Sequence, residues 1–152
     1  MKKKIFTAIL TGAMLCGMLT TPVSAAEPEV RMGDVNFDGA VDIADAQLLL
    51  MDYGERMVKN PGILTDAQRA IGNVDGESKA LFADSEPNPI TVKDAQLVLN
   101  YYLANLVDAA ITMEEVVGKT EKFQQAHQAF IEKYKPVWND KTDRYDYVER
   151  EG

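Results

Sequence analysis

The stretch that decides the fold of this chain runs from Asp34 to Asp45 and reads Asp-Val-Asn-Phe-Asp-Gly-Ala-Val-Asp-Ile-Ala-Asp. Oxygen-bearing side chains stand at positions 1, 3, 5, 9 and 12 of this segment, and Gly39 stands at position 6. Calcium takes about six to eight oxygen ligands, and alternating oxygen residues let a short loop surround one ion. A glycine permits the sharp turn that a Cβ would obstruct. The pattern therefore predicts a calcium-binding loop.

The ligands of this first loop follow from the same pattern. Asp42 is expected to bind directly or through a water molecule, and Asp45 is expected to close the site with its carboxylate. An ordinary turn needs only about two or three Asp, Asn or Gly residues, so five oxygens in register favour calcium. The usual closing residue is Glu, and the shorter Asp45 points away from an ordinary calcium-sensor hand. The complete predicted set is Asp34, Asn36, Asp38, the main-chain carbonyl of Ala40, Asp42 and Asp45.

A related unit recurs later in the chain. Asp45–Tyr53 reappears as Asp94–Tyr102 with six of nine positions identical, which predicts two loop-helix units. The second loop is irregular because Ser78 replaces the glycine and an insertion, at roughly 80–89, interrupts the pattern. A second bound calcium and a purely structural connection are both open alternatives for this loop. Its candidate ligands are Asn73, Asp75, Glu77, Thr91 and Asp94.

Each loop leads directly into an amphipathic helix. Apolar residues recur at helical spacing after both loops, and the two stripes are predicted to pack against each other. Leu48 and Met51 lie off the first stripe, which indicates either a partner surface or packing under the C-terminal helix. A short helix capped by Thr65 or Asp66 is expected between the two units. The stripes comprise Ala46, Leu49, Leu50, Tyr53 and Met57 in the first helix and Ala95, Val98, Leu99, Tyr102 and Leu106 in the second.

The C-terminal region is predicted to form one further helix. Thr112-Met-Glu-Glu has the capping-box form, and apolar residues after it recur at helical spacing toward Lys135. Pro136 is expected to end this helix, and the polar residues 139–152 are expected to be loosely ordered. The predicted fold class is therefore all-α, with a pair of EF-hand-like calcium-loop-helix units plus a C-terminal amphipathic helix.

The N-terminus has the form of a secretory signal peptide. Basic residues at 2–4 precede an apolar run from Ile5 to about Leu19, and small residues before Ala26 offer a cleavage site. The run is short for a membrane span of about 20 residues, so a secreted, extracellular protein is expected. The predicted division of the chain is a signal peptide at 1–25, a short segment at 26–31, the paired-loop domain at 32–108, and a C-terminal helix and polar tail at 109–152.

Composition restricts both the partners and the chemistry. The formal net charge of −8 argues against nucleic acid or an anionic membrane as a partner. The sequence has a single histidine, His127, and its one cysteine lies in the signal peptide. A nucleophile triad or a metal-hydrolase site needs more, so no enzyme activity is predicted. Trp138 and Tyr134 can stack on a sugar ring, which keeps a small glycan-binding accessory protein as an alternative.

Over residues 32–107 the chain resembles a type I dockerin. The resemblance rests on Gly33–Leu50, which holds the first loop, and on Ile90–Leu103, which holds the end of the second. It implies a dockerin-like fold that binds Ca2+ and docks onto a cohesin module of a scaffoldin protein. The role in extracellular polysaccharide degradation would then be indirect. The recognition positions that the resemblance implies are Ile43, Ala44, Leu50, Met51, Val92, Lys93, Leu99 and Asn100.

Two further expectations complete the prediction. The leading one is a non-catalytic docking module, monomeric apart from its partner, which a scaffold can hold at the cell surface. The alternative is an extracellular EF-hand-like calcium-binding structural protein without a cohesin partner. In both, calcium is expected to stabilise the fold, because the ion binds the folded loop better than the open chain.

Overall fold

The computed structural model describes residues 28–77, 89–118 and 120–151. The predicted signal peptide at 1–25 and most of the predicted insertion at 80–89 lie outside the described residues. Within the described ranges, no helix is both long and apolar enough to cross a bilayer. The elements in chain order are α1 (Ile43–Met57), α2 (Asp66–Gly72), α3 (Val92–Val107), α4 (Met113–Val117), α5 (Thr120–Lys133), β1 (Tyr134–Asn139) and β2 (Arg144–Glu149).

Short polar side chains determine where the helices begin. Asp42 caps α1 by accepting a hydrogen bond from the Ala44 N–H at 2.7 Å. Thr65 caps α2 by accepting from the Gln68 N–H at 3.3 Å, in agreement with the predicted cap. A side-chain oxygen at this position satisfies a backbone donor that the first helical turn leaves unpaired. The first loop therefore overlaps the first turn of α1.

The core lies between α1, α2 and α3 and the loops that precede α1 and α3. Leu49 of α1 and Val98 of α3 are fully buried, and so are Val35 and Val74, which hold equivalent places in the two loops. Burial of each such aliphatic side chain contributes about 1.5–3 kcal/mol. This shared burial joins the two loop-helix units.

The predicted apolar stripes are only partly buried. The two helices pack against each other as expected, through positions in the first half of each. Their later turns extend past this contact and leave apolar side chains in solvent, so the predicted burial of those side chains is wrong. The buried members are Ala46, Leu49, Ala95 and Val98, and the exposed members are Leu50, Met57 and Leu106.

The C-terminal region corrects the predicted fold class. The chain is mixed α/β and not all-α, because the segment after α5 forms an antiparallel β-hairpin. The predicted helix from Thr112 is divided at Gly118, which has a left-handed φ of 64°, and helical structure ends at Lys133. Pro136 lies inside β1, opposite Tyr147. Each strand of a two-stranded sheet has a free edge, where the missing N–H of proline is tolerated.

Aromatic contacts explain why the tail is ordered as a hairpin. The Tyr147 ring lies 4.7 Å from the Phe37 ring of the first loop and 5.2 Å from the Phe130 ring of α5, between centroids. Phe130 also contacts the buried Tyr134 at 5.0 Å. Such pairs contribute about 0.5–1.5 kcal/mol beyond the area they bury. The local polarity of residues 139–152 predicted a loose tail, and this prediction is wrong. The aromatic partners that order the hairpin are far from it in the sequence, so the local pattern does not reveal them.

Candidate metal loops and docking face

The first loop folds its oxygen-bearing side chains onto its own backbone. The two carboxylate oxygens of Asp34 accept hydrogen bonds from the Asp38 N–H at 3.1 Å and the Gly39 N–H at 2.9 Å. The Asn36 amide donates to an Asp38 carboxylate oxygen at 2.9 Å. Gly39 has a φ of 87°, a conformation that favours glycine. The loop backbone therefore draws the side chains at positions 1, 3 and 5 together.

Asp45 joins the start of the first loop to its end. One oxygen of its fully buried carboxylate accepts from the Val35 N–H at 2.8 Å and the Asn36 N–H at 3.0 Å. The other oxygen accepts from the Asp42 N–H at 2.9 Å. Hydrogen bonds to a charged acceptor are about twice as strong as neutral ones. Asp45 therefore organises the loop through three backbone hydrogen bonds.

Negative charge is concentrated in the first loop. The pKa of Asp34 is raised to about 6, mainly by burial and also by the carboxylates of Asp45 and Asp38, while the hydrogen bond from Gly39 lowers it. Burial likewise raises the pKa of Asp45. Among the described residues, no lysine, arginine or histidine forms an ion pair with Asp34, Asp38, Asp42 or Asp45. A cation bound here would stabilise the ionised carboxylates.

The donor set of the first loop fits calcium in kind and number. It contains only hard oxygen donors, five from side chains and one from the Ala40 carbonyl. Across the described parts of the chain, no three acidic, histidine or cysteine side chains form a preformed metal centre. The carboxylates of the loop are hydrogen-bonded to its N–H groups, and two of the six donors are amide or main-chain oxygens. Ion binding would therefore exchange some of these hydrogen bonds for metal ligation.

The second loop repeats the frame of the first but contains a cation of its own. Asp94 is fully buried and accepts from the Thr91 N–H at 2.9 Å, from the Thr91 hydroxyl at 2.8 Å and from the Asp75 N–H at 3.4 Å. The pKa of Asp94 is raised to about 6 by burial and by the Asp75 carboxylate. Asp75 is itself buried and forms an ion pair with the Lys93 ammonium at 2.8 Å. Lys93, which lies in the first turn of α3, therefore compensates the negative charge of a carboxylate of the second loop.

A second lysine reaches this loop from α5. The Lys122 ammonium lies 3.0 Å from a Glu77 carboxylate oxygen. A Cβ added to Gly76, whose φ is 62°, would lie 2.9 Å from the Lys122 carbonyl oxygen. Only glycine allows so close an approach at this φ. The α5 backbone therefore packs directly on the second loop.

The C-terminal segment covers both loops at the same loop position. Phe37 and Gly76 both hold position 4, and their φ values are 59° and 62°. Phe37 contacts Tyr147 of β2, whereas Gly76 lies against Lys122 of α5. The segment 120–149 therefore rests on the first loop through its hairpin and on the second loop through its helix.

The predicted recognition positions on α1 form an exposed apolar face. Ile43, Leu50 and Met51 are 48%, 47% and 58% exposed, and Ala44 is half-buried. Of the two side chains off the stripe, Leu48 packs against the core and Met51 does not. An exposed apolar face of this kind is typical of a partner surface.

The equivalent positions on α3 form a different surface. Val92 and Asn100 are exposed, and Leu99 is half-buried. Lys93 is about half exposed along its side chain, but its ammonium pairs with Asp75 of the second loop. The two helices therefore do not present interchangeable faces.

Sequence reasoning missed the contacts that the C-terminal segment makes with the loops. Lys122 pairs with a residue 45 positions away, and nothing in its local sequence marks that partner. Alternation around Tyr145 and Tyr147 was a signal for β2, because strand residues alternate between faces. The length of the preceding helical pattern concealed that signal.

Comparisons with known proteins do not assign this chain to a family. No protein family, curated protein or solved structure matches it. Its function is therefore inferred from the loops and from the face of α1.

Proposed function

We propose that this chain is a secreted, non-catalytic, calcium-dependent docking module of the dockerin kind. Calcium would bind the first loop, and the outer face of α1 would contact a cohesin-like module of a scaffold. The observation that carries the proposal is an oxygen-rich loop that continues directly into a helix with an exposed apolar face. Any role in extracellular polysaccharide degradation would be indirect, through the scaffold.

The charge distribution of the first loop supports calcium as its ligand. Burial raises the pKa of Asp34, the charges of Asp45 and Asp38 raise it further, and no basic side chain among the described residues pairs with these groups. A divalent cation compensates such charges and is suited to hard oxygen donors. Asp45 also bonds to the N–H of Asp42, the N-cap of α1. Ion binding is therefore coupled to the start of the helix that carries the apolar face.

The spacing of the exposed side chains supports docking through α1. Ile43, Leu50 and Met51 stand at i, i+7 and i+8, which places them on one side of a helix. Large apolar side chains are usually buried, and these three make no contribution to the buried core. Their position next to the first loop fits a surface whose order depends on calcium.

The proposal is tested by measuring affinity for a panel of cohesin modules, by titration calorimetry with calcium and with chelator. We expect binding only with calcium. Leu50→Glu combined with Met51→Glu should weaken it by at least about 100-fold, because apolar anchors dominate such interfaces. Calcium affinity and melting temperature should be unchanged, because both side chains are exposed.

Leu103→Glu provides a matched control. Leu103 is 51% exposed on α3 and lies outside the predicted recognition positions, so this variant should bind like the wild type. Loss of fold stability in the α1 variant, without any cohesin binding by the wild type, would instead favour the calcium-binding structural protein. Equal cohesin binding with and without calcium would contradict the proposal.

A glycan-binding role is a second candidate because of an exposed aromatic pair. Trp138 is 47% exposed in β1, and its ring lies edge-on to Tyr145, 5.1 Å away between centroids. Both line a cleft of about 200 Å³ together with Phe37 and Asp38 of the first loop. An exposed aromatic ring beside hydrogen-bonding groups suits a sugar ring. Tyr134, the other predicted stacking residue, is buried in the core.

Affinity electrophoresis in gels that contain neutral polysaccharides tests this second candidate. Retardation of the wild type should be lost in Trp138→Ala and kept in Val137→Ala. Val137 is a suitable control because it is exposed on the opposite face of the same strand. Equal migration of all three proteins with and without polysaccharide would eliminate glycan binding by the hairpin.

A further inference from the structure

The charges around the second loop lead to an inference beyond calcium binding by the first. We propose that the ammonium groups of Lys93 and Lys122 act as the resident cations of the second loop, in place of a second calcium ion. This half of the molecule then stays folded without calcium, and only the first loop responds to the ion. The inference rests on the proposed function only in taking the first loop as the calcium site.

The first of these two ammonium groups belongs to Lys93 in the first turn of α3. Its Nζ lies 2.8 Å from Oδ2 of Asp75, whose side chain is 2% exposed. The other carboxylate oxygen of Asp75 accepts from the Glu77 N–H at 2.9 Å. Burying a charged carboxylate to this degree is costly unless a cation or hydrogen bonds compensate its charge. Lys93 provides that cation at loop position 3, where the first loop has the uncharged Asn36.

The second ammonium group belongs to Lys122 of α5. It pairs at 3.0 Å with Glu77, which holds loop position 5 where the first loop has Asp38. Its own backbone lies against Gly76, so α5 and the loop are fixed relative to each other. The ammonium is therefore held at the loop by the packing of the helix as well as by charge.

The two loops consequently differ in their unpaired charge. Among the described residues, Asp34, Asp38, Asp42 and Asp45 of the first loop have no paired cation. The described part of the second loop holds two univalent cations, which together supply the charge of one calcium ion. A calcium ion bound through Asp75 would also be repelled by the adjacent ammonium. The geometry therefore favours calcium in the first loop and lysine in the second.

The test combines calcium stoichiometry by titration calorimetry with thermal unfolding of the full mature chain. The wild type should bind a single calcium ion. Lys93→Met combined with Lys122→Met should lower the melting temperature in chelator by roughly 5–10 °C, since it removes the ammonium groups that pair with Asp75 and Glu77. Saturating calcium should recover this loss, because the loop carboxylates then accept the ion. Lys135→Met, which removes an exposed lysine of β1, is the matched control and should have no effect.

Three results would overturn the inference: two calcium ions bound by the wild type, an unchanged melt of the double variant in chelator, or a loss that calcium does not recover. If the double variant fails to fold in chelator, Lys93→Gln alone should show a larger calcium-induced rise in melting temperature than the wild type, and an equal rise counts against the inference. Asp34→Ala combined with Asp38→Ala separates the two proposals. It should abolish the wild-type calcium site and leave the lysine effect in chelator intact.

Discussion

The first loop, Asp34–Asp45, and the second loop, which begins at Asn73 and ends at Asp94, share a backbone frame but differ in what surrounds their carboxylates. Both end in a fully buried aspartate at the third residue of a helix. Both hold a left-handed residue at position 4. The carboxylates of the first loop form no ion pair with a basic side chain among the described residues, whereas Lys93 and Lys122 pair with acids of the second.

This difference shows that the backbone geometry of a repeated loop and the compensation of its charge are separate requirements. The buried aspartate and the valine at loop position 2 are needed by the frame, because they bond the loop backbone and fill the core. The compensating charge is needed only by the carboxylates, and an ion or an ammonium group can supply it. A repeat can therefore keep its geometry while its response to calcium changes.

The largest expected effect comes from the buried aspartates. Asp45→Asn replaces an acceptor of three backbone N–H groups, so it should lower the free energy of unfolding by about 3 kcal/mol and abolish calcium binding. Asp94→Asn should have a comparable effect on stability and leave calcium binding intact. Urea unfolding and calorimetric titration measure the two effects. Loss of calcium binding in Asp94→Asn would break the distinction between the loops.

Calcium removal is expected to have the next largest effect. At a free calcium concentration about 100 times Kd, linkage stabilises the folded chain by about 2.7 kcal/mol, and chelator should remove this amount. Asp34→Ala combined with Asp38→Ala should show no difference between calcium and chelator. Asp140→Ala, an exposed hairpin acid, should behave as the wild type. Identical thermal melts of the wild type in both conditions would show that the first loop does not bind the ion.

Substitutions at position 4 of each loop should have a smaller effect on stability. They distinguish the hairpin, which packs on the first loop, from α5, which packs on the second. Phe37→Ala should cost about 1–2 kcal/mol through the lost contact with Tyr147, and it should loosen the hairpin. Gly76→Ala should cost about 1–3 kcal/mol, because a Cβ meets the Lys122 carbonyl oxygen at an unfavourable φ. Trp138, the single tryptophan, should report the first change by its fluorescence and not the second. The same fluorescence change in both variants would mean that the hairpin and α5 respond together.

The smallest expected effect concerns pH, measured in chelator. The folded chain raises the pKa of Asp34 from 3.8 to about 6, so the folded state binds a proton more tightly than the unfolded state. Stability from this group therefore falls as the pH rises through this range. Lowering the pH from about 7 to about 5.5 should raise the melting temperature relative to Asp34→Asn by a few degrees. Equal changes in both proteins would contradict the raised pKa.

Calcium should change this pH dependence in one loop only. Bound calcium holds Asp34 ionised, so the contribution of that group should disappear at saturating calcium. The pKa of Asp94 is also raised to about 6, and its contribution should persist with calcium present. Comparison of Asp34→Asn and Asp94→Asn in calcium tests this expectation by thermal melts. Persistence of both contributions would argue against calcium in the first loop.

Several elements could be predicted because their causes are local. The cap at Thr65 and the starts of α1 and α3 follow from side chains within a few residues of each helix. Burial of Leu49 and Val98 follows from helical spacing. The exposure of Met57 and Leu106 could not be predicted, since it depends on how far the packed region between α1 and α3 extends. The hairpin was missed because Tyr147 is ordered by Phe37 and Phe130, which are distant in the sequence.

The sequence by itself determined the two loop-helix units and the oxygen pattern of the first loop, because ligand spacing, capping and periodicity act over short stretches of chain. Only the tertiary structure decided which charged and aromatic groups lie against each loop. It brought Lys122 of α5 to Glu77 and turned Lys93 toward Asp75, while it placed the hairpin over Phe37. Charge compensation depends on distance in space and not on distance along the chain. For this reason two similar loop sequences differ in the charged groups that lie beside their carboxylates.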